Sequence, residues 1–483
     1  MKILNQHSML HIYLLILLSA IIPRAIFIFY FPTGGGDWPI YSTVAENIIS
    51  GCGVSLSTPG SGECAPHFGG NQGPGYPVFI FLSWLVSGHV DMYVRLFQLS
   101  FFIIALLYMV YAIKIYTSSF KVALWTGMVL ALSPLGVAWP RYLQTETLVL
   151  AGTLWIFAEL LLSLHKGKIR IIPVVIALVL TTFIRLDAIL LIAPILATLL
   201  IIYKPYNALK KGILMAIIFS LPWSMWLVRN YSVGMESVLP SQMALPHNAK
   251  APNGYLKWCK TWTTLEYQRQ GSQWPITRFV YTNISLDNNI YATEKERVRV
   301  AALLEDLKKY TGKQFPKYID NEFLEIANER IKNNYIDYYF VKPMYRIWSL
   351  WTNIYGSYGW PTELPGSVSS QERLEVSRGS IVDKISFALE YPVIASGKIV
   401  VNLWKIIVYL LFILMIFKIF RKREKTILYP VLMLLLSFIL ARSLFSGYAN
   451  FVETRYTIAI VPIMEILVTM FFLKIKYPFL NKN

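Results

Sequence analysis

Residues 34–88, GGGDWPIYSTVAENIISGCGVSLSTPGSGECAPHFGGNQGPGYPVFIFLSWLVSG, follow directly on a first hydrophobic run and decide how the whole chain is read. The segment opens polar and Gly-rich, with Asp37 an isolated carboxylate just beyond a greasy helix. Tyr41, Ala45, Ile48 and Ile49 recur at helical spacing, which predicts a short amphipathic helix lying along a membrane surface. Gly51, Cys52 and Gly53 form a breaker cluster that ends it. A loop then leads through Gly73 to Pro77 into the apolar stretch 76–88. Those thirteen residues reach about 20 Å as a helix, short of a hydrocarbon core of about 30 Å.

Working outward, the chain has 483 residues, 55% of them hydrophobic, and a mean hydropathy of +0.49. That is too apolar for a soluble fold of this length and fits a polytopic helical membrane protein. Runs of about 20 apolar residues predict ten spans, near 9–31, 93–115, 121–139, 145–164, 170–186, 187–204, 209–229, 398–420, 426–446 and 454–474. The first run is longer than a signal-peptide core and lacks a small-residue cleavage pattern, so it is expected to stay as a span.

Charge parity then places 76–88. If it does not cross and the N-terminus is inside, one face collects the basic turns. These are Lys114 with Lys121, Lys166 with Lys168 and Arg170, Lys204 with Lys210 and Lys211, Lys418 to Lys425, and Lys474 with Lys476. If it does cross, most of them fall outside. The positive-inside rule therefore makes 76–88 interfacial or re-entrant. The formal charge of +18 belongs to those turns, and no nucleic-acid partner is expected.

The domain reading is a transmembrane module 1–230 with an outer loop 32–92, an extracytoplasmic soluble domain 231–397, and C-terminal transmembrane helices 398–483. Within the soluble domain, Thr293 to Glu296 is a capping-box signature opening a helix to about Tyr310. A second helix is expected near Asp320, with Phe323, Ile326, Ala327 and Ile331 on one face, and a third, broken by Pro343, with Ile347, Trp348 and Trp351. The polar run 367–380 reads as a linker. Of three cysteines, Cys259 stands alone, whereas Cys52 and Cys64 share the opening loop. They are expected to pair if that loop faces an oxidising compartment; two inert thiols are the alternative.

Ionisable groups in spans cost on the order of 2.5–3.5 kcal/mol at mid-helix and so point to function. At the outer ends these are Arg24, Asp37, Arg141, Glu146, Arg185, Asp187, Arg229, Arg442, Glu453 and Arg455. Several cations with a few carboxylates on one face suit a site that handles a phosphate at the bilayer surface. Internal ion pairing with snorkelling of Arg is the bland alternative. Glu465 lies mid-span and reads as a hydrogen-bonded packing residue. There is no Walker loop, HExxH or GxSxG. The histidines His7, His11, His67, His89, His165 and His247 form no ligand pair, and only His67 lies in the opening loop.

The motifs in order resemble a family. Asp37 after the first span is followed by Y-x3-A-x2-I-x2-G-x-G (Tyr41, Ala45, Ile48, Gly51, Gly53) and by Pro-Gly-Tyr-Pro before an interfacial helix. Then come SPLGVAWPRYLQTETL with Glu146, TTFIRLDAILL, LPWSMWLVRNY, FLEIANERI with YRIWSLW, and ETRYTIAIVP. The pattern resembles the GT-C glycosyltransferases, in the branch of protein O-mannosyltransferases and the lipid A aminoarabinose transferase. It covers most of 9–230 and the last spans.

The resemblance implies transfer of a sugar, with inversion, from a polyprenyl-phosphate donor to an acceptor hydroxyl on a glycan, lipid or protein, at the outer face of the cell membrane. It implies Asp37 as general base. The leaving phosphate, already anionic, needs cations rather than an acid. Arg229, Arg442 and Arg455 are expected there with Tyr456, and behind them Arg141 and Arg185. Glu146 matches the family's second acidic position, which holds the acceptor or a divalent ion together with Asp37; no other cofactor is implied. His67 is expected to contact the acceptor or hold the loop. The mannosyltransferase branch carries a second acid where Trp38 stands, which leaves the acceptor open. An oligosaccharide polymerase or ligase, and a lipid-linked-substrate transporter or flippase, are the competing readings.

Overall fold

A computed structural model describes residues 2–65, 67, 73–235, 249–353, 358–361, 379–422, 428–450 and 452–473. The 367–378 part of the expected linker, Lys425, Lys474, Lys476 and His247 lie outside them. The described chain is helical throughout, with two isolated β-bridges, Thr33 to Tyr142 and Ser55 to His67.

Among the described residues six helices are long and apolar enough to cross a bilayer: Leu10–Tyr30, Asp91–Thr117, Glu146–Lys166, Pro205–Ser232, Ile394–Arg421 and Leu428–Ala449. The pair Phe120–Leu132 and Pro134–Arg141, bent by 55°, makes a seventh if it is one span. The bend falls at Ser133-Pro134, where the proline cannot continue the preceding hydrogen-bond ladder. The chain is thus a multi-pass all-α membrane protein, but helix length alone does not reach the ten spans expected.

The shortfall has a local cause. The expected spans 170–186 and 187–204 are separated by an extended Arg185 at φ −156° and a 3₁₀ turn, Leu186–Leu191, leaving helices Ile171–Ile184 and Ile192–Ile202. The expected span 454–474 begins as a 3₁₀ turn, Thr454–Thr457, and becomes α-helical only over Val461–Phe472. At 1.5 Å per residue, its 12 helical residues are short of the bilayer core. Their side chains are nearly all buried among the other helices. The 76–88 stretch forms the 13-residue helix Gly75–Ser87, stopped by left-handed Gly88.

The spans pack around Asp91–Thr117 and Glu146–Lys166, whose buried faces carry Phe102, Leu106, Ile113, Leu154 and Phe157. A second core, of Tyr255, Trp258, Tyr281, Phe315, Ile319 and Phe323, holds residues 249–333 together. There Thr293 Oγ1 caps the Glu294–Lys308 helix by accepting from Glu296 N–H at 3.1 Å, and Glu296 accepts from Ala292 N–H. The helix Lys317–Asn333 buries Phe323, Ile326 and Ala327 on one face. Pro343 does not break the helix as expected: a π-helical turn, Asp337–Val341, runs directly into the helix Lys342–Thr352, and Pro343 sits in its first turn, where its missing N–H is tolerated.

Candidate active site

The site is built where the first span ends. Thr33 bridges to the 141–143 loop: its N–H donates to Arg141 O at 3.2 Å and its carbonyl accepts from Leu143 N–H at 3.3 Å. The buried Arg95 guanidinium donates to both Arg141 O and Thr33 O. The chain then turns at Gly35, whose φ of +80° suits glycine and where a Cβ would lie 2.4 Å from Gln144 Nε2. This turn delivers Asp37 to the N-terminus of the helix Trp38–Ile49. An aspartate at that position normally accepts from the N2 or N3 amide. Here the carboxylate makes no such bond, and it faces Arg455 instead, Oδ2 to Nη1 3.7 Å, with 38% of the side chain exposed.

The helix is clamped to Gly75–Ser87 by edge-on ring pairs, Tyr41 on Tyr76 at 4.8 Å and Trp38 on Trp84 at 6.0 Å. Gly73 and Gly75 lie directly on the Phe183–Ile184 backbone; a Cβ on Gly73 would sit 2.0 Å from Phe183 O. The opening loop thereby abuts the residue pair that precedes Arg185. Burial, then the charges of Asp37 and Glu146, push the Tyr41 phenol well above its ordinary pKa, so it stays a donor beside them.

Arg455 is the hub. Its Nη1 is 3.7 Å from Asp37 and 3.7 Å from Glu146 Oε1, and its Nε is 2.5 Å from Glu453 Oε2. Arg185 pairs with Glu146 at 3.2 Å and Asp187 at 2.9 Å, and Arg442 with Asp187 at 2.5 Å. Arg269 donates to Glu453. The Tyr456 ring lies beneath three guanidiniums, those of Arg185, Arg455 and Arg442 at 4.6, 5.6 and 5.9 Å. Four arginines thus face four carboxylates: Asp37, Glu146, Asp187 and Glu453. A fifth carboxyl, Glu266, is half-buried beside Glu453; desolvation, then that neighbouring charge, push its pKa up to about 7. Burial acts on Glu453 in the same direction, but Arg455 and Arg269 outweigh it and hold that carboxyl below its usual range.

Of the residues expected from sequence, Asp37, Glu146, Arg185, Arg442, Arg455 and Tyr456 converge. Arg141 is committed elsewhere: its guanidinium donates to Phe31 O and Gly359 O, both at 2.7 Å, and to the Tyr142 hydroxyl. Arg229 donates to Val54 O and Asn230 Oδ1 and lies over Trp226, holding the opening loop. His67 bridges to Ser55 in that loop, its pKa lowered by burial and then by Arg229. Cys52 and Cys64 are disulfide-bonded there. Arg24 lies inside the bundle, on Ala20 O, Ala131 O and the Phe102 ring, and Glu465 accepts from Ser133 and Trp404. Asp37 and Glu146 share Arg455 between them, and among the described residues no three His, Cys, Asp or Glu gather as a metal site.

Three residues at the site were not singled out from sequence. Glu266 and Arg269 come from the helix Glu266–Thr277, whose EYQRQ start looks like any solvated helix end. Lys405 did carry a signal, a lone cation within NLWKIIVYLLF. Its Nζ donates to Asn353 O at 2.6 Å, and Asn353 Nδ2 donates to Glu266 Oε2 at 3.3 Å.

No family model matches the chain, and no curated protein matches it. Among solved structures it is similar to the crystal structure of ArnT from Cupriavidus metallidurans bound to undecaprenyl phosphate. The two share 12% identity over 94% of this chain and 77% of that one, with a TM-score of 0.41. The apo state of the same protein gives 12% identity, the same coverage and a TM-score of 0.40.

Proposed function

We propose that the chain is a membrane glycosyltransferase that moves a sugar from a polyprenyl-phosphate donor to an acceptor hydroxyl with inversion, Asp37 acting as general base. The observation that carries this reading is the Asp37 carboxylate itself. It leaves its own helix uncapped, stays partly exposed, and stands 3.7 Å from the most accessible guanidinium of a buried arginine cluster.

In the step proposed, the acceptor O–H gives its proton to Asp37 while its oxygen bonds to the anomeric carbon. The bond from that carbon to the phosphate oxygen breaks, and its electron pair leaves on the polyprenyl phosphate. A positioned carboxylate contributes roughly 10²–10⁴-fold to such a proton transfer. Arg455 suits the leaving phosphate because its contacts to Asp37 and Glu146 are loose, so an anion can replace them with shorter charge-assisted bonds. Arg185 and Arg442, already paired, hold Glu146, Asp187 and Tyr456 in place around it. Glu146 is almost fully buried and pairs through Oε1 with Arg185 at 3.2 Å, so it fixes the guanidiniums rather than standing open beside them. A divalent ion bridging Asp37 and Glu146 would require Arg455 to move aside.

Sidedness is part of the proposal. Glu146 opens and Lys166 closes one long helix, and Lys210 and Arg229 stand near opposite ends of another, so the basic turns lie at the end of the bundle away from Asp37. The positive-inside rule then puts Asp37 on the extracytoplasmic side, and the Cys52–Cys64 disulfide favours the same compartment. The residue 249–352 domain would stand above it, with the cell membrane as the site of action.

The test is transfer by the purified chain in proteoliposomes from a panel of radiolabelled polyprenyl-phosphate sugars, reading release of free polyprenyl phosphate. Asp37→Asn should lower release by at least about 10²-fold with donor binding retained, and Glu46→Gln should do far less. Movement of intact donor across the bilayer without release, or near-normal turnover by Asp37→Asn, would overturn the reading.

A further inference from the structure

The helix Lys342–Thr352 and the π-helical turn before it have two unlike faces. One is docked on the Leu428–Ala449 span. Pro343 O and Ile347 lie against Gly447, where an added Cβ would meet both at 3.0 Å. Trp351 Nε1 donates to Ser443 Oγ at 2.9 Å. The buried Arg346 guanidinium donates to Gly447 O, Thr263 O and Lys260 O, tying this helix to the span end and to the 249–333 core at once.

The other face is exposed and apolar. Ile336, Phe340, Met344 and Trp348 recur at four-residue spacing with Tyr345 beside them, and all five are exposed, Trp348 at 68%. Charge is turned aside from it, since Lys342 and Asp337 pair with each other at 3.6 Å and Arg346 is buried. A water-facing domain surface rarely carries a contiguous stripe of this kind.

We infer that this stripe is a membrane-insertion surface, seated in the headgroup–acyl boundary of the bilayer the spans cross. What selects lipid as the occupant is continuity. On the Leu428–Ala449 span, Leu440, Leu444 and Tyr448 form an exposed apolar line at four-residue spacing, ending beside Gly447, where the Lys342–Thr352 helix docks. The span's lipid-facing line therefore runs on into the stripe. Its Tyr and Trp residues are the amphipathic rings that settle at headgroup level, and a helix with one apolar face lies in that plane. The helix Ile381–Glu390 repeats the pattern immediately before another span, with Ile381, Ile385 and Leu389 exposed. The surface would anchor the 249–352 domain at a constant height over the Asp37 site, whatever reaction that site performs.

The test is depth measurement on the full-length protein in phosphatidylcholine nanodiscs. Native thiols do not interfere, because Cys259 is buried and Cys52 is bonded to Cys64. Spin labels are placed at Tyr345→Cys, Trp348→Cys and Met344→Cys. Leu440→Cys serves as the lipid reference, and Glu305→Cys, 71% exposed on the 249–333 core, as the water reference. Power saturation with oxygen against a water-soluble nickel chelate reads the environment. Oxygen access exceeding chelate access at the three stripe positions, as at Leu440→Cys, is expected. Chelate access like that of Glu305→Cys would overturn the inference. Labels immobilised and shielded from both reagents would also overturn it, since they would mean that protein covers the face.

Discussion

Asp37, Glu146, Asp187, Glu266 and Glu453 are five carboxyls in one cluster, and their neighbours give them different work. Asp37 is the most solvent-accessible of those paired to arginine, and Glu453 is clamped between Arg269 and Arg455. Removing the Glu453 charge leaves the largely buried Arg269 without that carboxylate, while Arg455 keeps Asp37 and Glu146, so Glu453→Gln should lower the thermal midpoint in detergent, by less than the roughly 3–5 kcal/mol of a fully buried pair. Glu266 behaves oppositely. Its pKa is about 7 in the folded chain, against about 4.3 when unfolded, so the folded state binds its proton more tightly. That contribution is complete below about pH 4.3 and is lost as pH rises through about 7. Glu266→Gln should therefore be at least as stable as the parent at pH 8, and the parent's loss of midpoint between pH 5 and 8 should shrink. An unchanged pH profile in the variant would show that Glu266 does not hold the proton.

At the level of elements, the opening loop packs against the chain leading into Arg185 through glycines. Gly73 and Gly75 touch the Phe183–Ile184 backbone, whereas a Cβ on Gly36 would meet nothing within 4 Å. Gly73→Ala should cost on the order of 1–3 kcal/mol and lower transfer as the Arg185 turn is displaced, while Gly36→Ala should leave both near parental values. Thermal midpoints and polyprenyl-phosphate release measured side by side check this; equal behaviour of the two variants would count against the packing account. Elements were also the scale at which the sequence was easiest to read. The cap at Thr293 and the face of Phe323, Ile326 and Ala327 are local patterns that stand where the sequence put them, with Ile331 only half-buried on that face, while at Pro343 a π-helical turn replaces the expected break. The long span boundaries fared less well at Arg185 and Arg455. In both places a guanidinium recruited into the charge cluster accompanies a 3₁₀ turn, where hydropathy alone expected unbroken helix.

For the whole molecule, the non-crossing reading of 76–88 makes the Asp37 loop and the Thr117–Phe120 turn face opposite compartments. Thr43→Cys and Ser118→Cys should then react with a membrane-impermeant maleimide from opposite sides in intact cells and inverted vesicles. Labelling of both from one side would end that topology and the sidedness proposed for the site.

What the sequence by itself determined was everything carried by near neighbours along the chain. Apolar run length marked the long spans, breaker residues bounded the helix Trp38–Ile49, and the isolation of Asp37 lay within one loop, whereas the bond between Cys52 and Cys64, left open by their spacing, was decided by the fold of that loop. Only the tertiary structure decided which cation meets which carboxylate. Arg141 and Arg229 read no differently in sequence from Arg185 and Arg455, yet the first two are spent on backbone carbonyls. Glu266 and Arg269 reached the cluster from a separate core more than a hundred residues after Glu146. The physical reason is that hydropathy is summed locally, residue by residue. An ion pair depends only on where two charges end up, and any arginine can satisfy any carboxylate until packing of the spans brings one of them within reach.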